Sequence, residues 1–370
     1  WPLAAALLAL AAAPVVLRYL VFWPLDQWQG DVEVYRQAGV SILTGRPVYA
    51  ALTEAPQLLP FTYPPFAAVL AIPLALVPFG VAGWLWTLAQ VLAVTATVTL
   101  AAHRLLPRAG RWWPVALAGL AAPILWLHPV ADGIRFGQVN AFLVLLCLAD
   151  LRRPRPTLLR RVPAGVLVGL ALAIKLTPGV FVVHYLVCRR WKEAATAIGT
   201  AAAATLATWV LLPSASFAFW GGALEDPPAR APTGGGFWLP RRCWRAGESV
   251  AEVGVVGLLA CLVSPVAWVH HYHWVVPVVF ALLGAGPWRG RGRRGLYAAG
   301  LVTAWFLCRL PWWGIAWIDR GWPRVPGRLL QNADPLGALL ALGLLWWVLR
   351  PVSTARGITS AARSSLWRRV

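Results

Sequence analysis

The sequence predicts an all-α polytopic membrane protein, and three observations carry that prediction. Of 370 residues, 59% are hydrophobic and only 12% charged, with a mean hydropathy of +0.65, whereas ordinary soluble domains carry roughly 25% charged residues. Apolar runs long enough to cross a bilayer recur along the chain. Between them lie short clusters of Arg, Pro and Trp, the pattern of inner loops and interfacial belts. The net charge of +20 does not point to nucleic acid, because the basic residues form no single patch with interleaved aromatics. The 24 Trp fit membrane interfaces better than base stacking. Cys147, Cys188, Cys243, Cys261 and Cys308 are scattered, without CxxC or Cys/His ligand spacing, so neither a disulfide framework nor a metal site is expected, and no cofactor is. The chain begins at Trp1 within an apolar run and contains no Met. It shows no signal-peptide n-region or cleavage site, so that run is read as a span and the natural N-terminus is expected upstream.

Charge sets the orientation. The strongest basic clusters, Arg104–Arg111, Arg152–Arg161, Arg189–Lys192, Arg289–Arg294 and the tail from Arg350, are placed inside. Residues 3–24 then run outward. Residues 25–79 form a long outer segment whose apolar part, broken by Pro64, Pro65, Pro73 and Pro78, lies in the interface or re-enters. Next, 81–102 goes in, 113–130 out and 138–150 in. The stretch 163–188 begins and ends inside, yet about 26 residues make roughly 39 Å of helix, too short for two full spans. The break at Thr177-Pro178-Gly179 implies two short or re-entrant halves meeting near Lys175, which is tolerated only where such elements line a cavity. Residues 194–212 and 296–310 go out, and 335–349 returns.

Only 13 residues are Asp or Glu, so GDVEVYRQAG (30–39) stands out. Residues 31–44 read as a short outer helix capped by Gly45, with Asp31, Val34, Tyr35 and Ala38 on one face and Glu33 pointing away. Asp31 is a candidate N-cap and a candidate functional acid, roles that do not exclude each other, and local sequence does not choose between them. Lys175, in AIKLTP, is a charge inside an apolar stretch, which costs about 2.5–3.5 kcal/mol at a helix centre on insertion scales. Function is the favoured reading, and a phosphate shared with Arg135 is a natural partner. GIRFGQVN (133–140) puts Arg135, Gln138 and Asn140 at a helix start, with glycines allowing close backbone approach. SPVAWVHHYHW (264–274) holds His270, His271 and His273. Without an HExxH spacing or a nearby acid, they suit substrate or phosphate contact, or an interfacial position beside Trp, better than zinc.

Together these stretches carry a resemblance. GDVEVYRQAG…GRPVY (30–49), FTYPPFAAVLAIPLALVPF (61–79), GIRFGQVNAFLVLLCLAD (133–150), GLALAIKLTPGVF (169–181) and LVSPVAWVHHYHWVVP (262–277) resemble, in order, glycosyltransferase family 87, the polyprenol-phosphate-mannose-dependent α-(1→2)-mannosyltransferases of actinobacteria. The resemblance implies a GT-C-type bundle of roughly ten transmembrane or re-entrant helices, with interfacial helices on the extracytoplasmic side of the plasma membrane. It also implies a polyprenyl-phosphate-mannose donor, a glycolipid or glycan acceptor and inversion at the anomeric carbon. The family's acid after the first span matches Asp31, the base for the acceptor hydroxyl. Arg135, Lys175 and His271 are assigned to the leaving phosphate, and Gln138, Asn140, His270, Tyr35 and Tyr63 to the substrate. No nucleotide fold is implied, and no GxGxxG follows a strand.

One interval departs from the family. Relatives carry an outer loop with an NQSL-like stretch and a further span before the histidine motif, but SFAFWGGALEDPPARAPTGGGFWLPRRCWRAGES (216–249) contains neither. Between Pro213, outside, and Arg289–Arg294, inside, an odd number of crossings is required, and only 250–266 and 274–286 are visible. An internal deletion around 221–248 is therefore expected. A polyprenyl-phosphoarabinose-dependent arabinofuranosyltransferase and an inactive remnant remain as alternatives. A transporter would need paired broken helices, and only one such pair is found.

Overall fold

The computed structural model describes residues 1–17, 29–55, 57–152, 161–225, 237–264, 267–284 and 292–349. The basic clusters at Arg152–Arg161 and Arg289–Arg294 fall partly outside these residues, and the tail from Arg350 wholly so. Helix α1 (Pro2–Val16) is followed, beyond residues not described, by α2 (Gly30–Leu43), which ends before Gly45 at φ 67°. Two short pieces, α3 (Pro65–Leu70) and α4 (Ile72–Ala75), lie against α2, cut short by Pro64, Pro65, Pro73 and Pro78 as the sequence implies. Then come α5 (Phe79–Ala101), a 3₁₀ turn, α6 (Trp113–Trp126), α7 (His128–Phe136) and α8 (Asn140–Arg152). The chain leaves α6 at Leu127, extended ahead of His128-Pro129, and α7 turns away from the α6 segment by 76°.

The re-entrant expectation takes a definite shape. Helices α9 (Val166–Ile174) and α10 (Gly179–Val187) flank an extended Lys175. The root of α9 is fixed by Asp150, whose carboxylate accepts from the backbone N–H of Gly165 at 2.8 Å and of Val168 at 2.9 Å. A full-length partner, α11 (Trp191–Leu211), runs alongside, so close at Gly169 that a Cβ there would lie 2.5 Å from the Ala197 carbonyl oxygen. After it come α12 (Pro213–Glu225), α13 (Trp238–Arg245) and α14 (Ser249–Val263). A 3₁₀ turn over Val269–Trp274 leads into α15 (Val275–Leu282). The chain closes with α16 (Gly292–Leu307), α17 (Leu310–Asp319), α18 (Arg324–Gln331) and α19 (Ala333–Leu349).

Among the described residues three helical stretches are long and apolar enough to cross a membrane: α5, α11 and Gly292–Asp319, with up to five if the two bent pairs each count as one. Helix α11 lies at the periphery and leaves Leu206, Val210 and Leu211 exposed, as a lipid-facing surface does. Short helices fill the interior. Every residue of α15 is buried, as is most of α14. The protein is an all-α, multi-pass membrane protein.

The bundle has two distinct ends. At one, His184 pairs with Glu252 at 2.7 Å, Arg190 reaches Glu252 and Glu193 at 3.1 Å each, and α13 packs with Phe237 stacked on His184 and Arg242 donating to the Leu349 carbonyl. At the other lie α2, α3 and the ring of Tyr49 on Phe219 of α12. Helix α12 thus belongs to the end that carries Asp31, and α13 to the opposite end. Replacing Asp150 with Ala orphans the N–H groups at the root of α9. Each is expected to cost about 1–3 kcal/mol, which a lowered thermal unfolding midpoint in detergent will register.

Candidate active site

The site is built on a turn that α5 holds in place. Helix α7 ends at Gly137, left-handed at φ 76°, where a Cβ would come within 2.2 Å of the Val32 side chain of α2. Only glycine fits there. From α5, Trp86 Nε1 donates to the Gly137 carbonyl at 2.7 Å, and Gln90 Nε2 donates to the carbonyls of Gly133 at 3.0 Å and Gln138 at 2.7 Å. Gln29, left-handed just before α2, donates to Thr87 of the same helix face. These bonds fix the start of α2 against the α7–α8 turn.

Asp31 sits in the first turn of α2, half-buried. The Gln138 side chain hydrogen-bonds to its carboxylate, and Lys175 lies close enough to attract it. Gln138 is oriented from its far side, since its Oε1 accepts from the Tyr63 hydroxyl at 3.3 Å, which in turn accepts from Tyr35 at 3.1 Å. Burial raises the Asp31 carboxyl to about 6, against the opposing effects of the Gln138 bond and the Lys175 charge. Lys175 Nζ stands 5.3 Å from the Tyr63 ring centre, donates to Asn140 Oδ1 at 3.3 Å and lies 3.2 Å from His271 Nε2. Asn140 Nδ2 donates to the His270 carbonyl at 3.0 Å.

The imidazole of His271 is anchored through one ring nitrogen. Its Nδ1 accepts from the Trp268 backbone N–H at 3.2 Å, so the neutral ring carries its proton on Nε2. Ammonium and imidazole N–H groups therefore meet within one small space, a donor pair suited to an anionic oxygen. Beside them, Tyr35, Tyr63, Leu70, Trp86, Phe142 and Ile174 line an apolar cavity of about 270 Å³.

The chain is 32% identical, over 403 aligned residues, to the polyprenol-phosphate-mannose-dependent alpha-(1-2)-phosphatidylinositol mannoside mannosyltransferase of Mycobacterium tuberculosis, covering 95% of this chain and 90% of the relative. It belongs to glycosyltransferase family 87. The profile of that family matches residues 61–236. A protein of the same description from Mycolicibacterium smegmatis is 32% identical over 74% of each chain. The solved structure of ArnT from Cupriavidus metallidurans bound to undecaprenyl phosphate is 17% identical, with a TM-score of 0.44 over 92% of this chain and 75% of that one. This chain is a membrane glycosyltransferase.

Within this family 87 chain, Asp31, Tyr35, Tyr63, Gln138, Asn140, Lys175 and His271 form one continuous group. Other expected residues stand apart. Arg135 lies in the last turn of α7, not at a helix start, because Gly137 ends that helix and only Asn140 begins the next. Its guanidinium is 3.9 Å from Asp132 and stacks over Phe136 and Trp312. His270 packs its ring edge on Phe136 and contributes its carbonyl, while its imidazole stays buried. Asp31 does not cap α2. Gln29 occupies that position, so the carboxylate is left for Gln138 and Lys175. Glu33 accepts from the Glu54 backbone at 2.9 Å and is turned towards that loop.

Trp86, Gln90 and Cys261, whose thiol donates to the His271 carbonyl at 3.2 Å, support the site without having been singled out in the sequence. For Gln90 the signal was there, as a polar side chain within an apolar span. Gln90→Leu breaks two bonds that hold the Gln138 turn, and is expected to lower kcat about tenfold or more, with a smaller change in donor KM. Gln90→Glu, which keeps the shape but loses the donors, should behave alike in the same transfer assay.

Proposed function

We propose that this chain moves mannose from polyprenyl-phosphate-mannose to a mannosylated glycolipid on the extracytoplasmic side of the plasma membrane. The observation that carries this reading is the pairing, in one recess, of a carboxylate with the Lys175–His271 donor pair. Asp31 takes the proton of the acceptor hydroxyl. The acceptor oxygen bonds to the anomeric carbon as the bond from that carbon to the phosphate oxygen breaks on the opposite face, inverting the centre. Lys175 Nζ and His271 Nε2–H receive the charge that develops on the departing polyprenyl phosphate. Tyr63 and Gln138 fix the Asp31 carboxylate, and the apolar cavity beside Tyr35 suits the first isoprene units of the donor. The printed names of the relatives support mannose as the sugar and a phosphatidylinositol mannoside as the acceptor type.

Asp31→Asn is nearly isosteric and should reduce transfer by about 10²–10⁴-fold while leaving donor binding intact. Glu33→Gln should be mild. With the Asp31 carboxyl raised to about 6, the base is present above that pH. Below it, wild-type kcat/KM should fall towards one-tenth for each pH unit. A flat profile from pH 5 to 7, or a lethal Glu33→Gln, would exclude Asp31 as the base.

We propose, second, that a crossing helix has been lost from the interval between α12 and α13. Helix α12 packs at the Asp31 end and α13 at the opposite end. The eleven residues that join them, 226–236, include Asp226, Arg230 and three prolines. As helix they would reach about 17 Å, against a hydrocarbon layer of about 30 Å. One added crossing there also makes the number between Pro213 and Arg289 odd. The alignment with the Mycobacterium tuberculosis relative is longer than the whole of this chain, which supports residues having been lost. Inserting the corresponding stretch of that relative between Glu225 and Phe237 is expected to raise transfer at least about tenfold, roughly 1.4 kcal/mol off the barrier. Equal activity with and without the insert would rule the deletion out.

A further inference from the structure

The hairpin of α17 and α18 takes no part in the group around Asp31, yet it is fastened to the same end of the bundle. Its two helices meet at glycines: a Cβ on Gly314 would lie 2.4 Å from the Gln331 backbone nitrogen and 2.7 Å from the Gly327 carbonyl. At its base, Trp312 Nε1 donates to His128 Nε2 at 2.8 Å and lies under the Arg135 guanidinium. From this hairpin project Arg320, Arg324 and Arg328, all exposed, with Asp319 as the single acid on the two helices. Arg320 is held in place, donating to the Ala316 carbonyl at 3.2 Å and lying 5.7 Å over the Trp322 ring. Arg324 and Arg328 are one helical turn apart and share a face. Trp313, Trp322, Val325 and Leu329 are exposed around them.

Each feature narrows the partner. Exposed Trp and aliphatic side chains settle at the bilayer interface, which places the three guanidinium groups at the depth of lipid phosphates. Arginine on the end that carries the active site runs against the usual placement of basic residues on the inner side. Planar guanidinium forks match phosphodiester oxygens.

We propose that the α17–α18 hairpin is the docking surface for the phosphodiester headgroup of an anionic glycerophospholipid, the anchor of the acceptor. This rests on the acceptor reading given above and adds to it the surface that selects the anchor.

The test uses the triple variant Arg320→Gln, Arg324→Gln, Arg328→Gln, checked for an unchanged unfolding midpoint, with the corresponding Arg→Lys triple as a charge-retaining control. Native mass spectrometry compares retention of phosphatidylinositol, phosphatidylcholine and free inositol phosphate. Wild type should prefer phosphatidylinositol, and the Gln triple should lose that preference by about tenfold or more while the Lys triple keeps part of it. In transfer assays the Gln triple should raise KM for the lipid acceptor and leave kcat, and use of neutral octyl mannoside, unchanged. Equal retention of the two lipids by wild type would overturn the proposal. So would binding of free inositol phosphate as tight as that of the lipid, or a Gln triple that behaves as wild type. A retained phosphatidylinositol preference without any transfer, in the chain that carries the insert between Glu225 and Phe237, would support the surface and count instead against the acceptor reading.

Discussion

Lys175 stands at the tip of two half-helices inside a membrane protein, and a cation in that position must be answered by polar groups or by a ligand. The helix break frees backbone groups as well, which lipid cannot satisfy. Around this one costly side chain the chain therefore gathers Asn140, the Tyr63 ring and Asp31, while the His271 N–H beside it leaves room only for an anionic partner. The elements that bring them, α2, α8 and the 3₁₀ turn before α15, are short. A recess results in which charge is both expensive to hold and effective against a charged substrate.

The recess is kept in shape by groups that never touch a substrate. Trp86 and Gln90 hold the Gly137 turn, Asp150 fixes the root of α9, and Gly169 lets α11 approach within backbone contact. His271 is set by a backbone N–H on Nδ1, so its remaining proton faces Lys175. The same logic extends outward through Arg135 and Trp312 to the α17–α18 hairpin, where the charges are exposed instead of enclosed.

The path of the chain between the two ends is a separate constraint. Helix α12 and helix α13 take opposite ends, although only eleven residues rich in Pro and Gly join them. The sequence raises this as a parity problem in crossings. Tertiary contacts turn it into a problem of helix length, since only a helix satisfies its backbone in lipid.

Much was legible in the sequence because the membrane is a strict solvent. Composition, apolar run lengths and Arg placement determined the fold class. The rarity of acids drew attention to Asp31, and the Thr177-Pro178-Gly179 break announced the half-helices around Lys175. Periodicity also turned Glu33 away from the Asp31 face. What the sequence could not decide were matters of partner and position. It placed Arg135 beside Lys175 and at a helix start, but the positive φ of Gly137 ends α7 there and leaves the guanidinium with Asp132, Phe136 and Trp312. It left Asp31 as a possible cap until Gln29 was seen to occupy that position. Membrane partitioning acts residue by residue and can be read along a chain. Which donor meets which acceptor depends on contacts such as Gln138 with Tyr63, 75 residues apart, and only packing sets those.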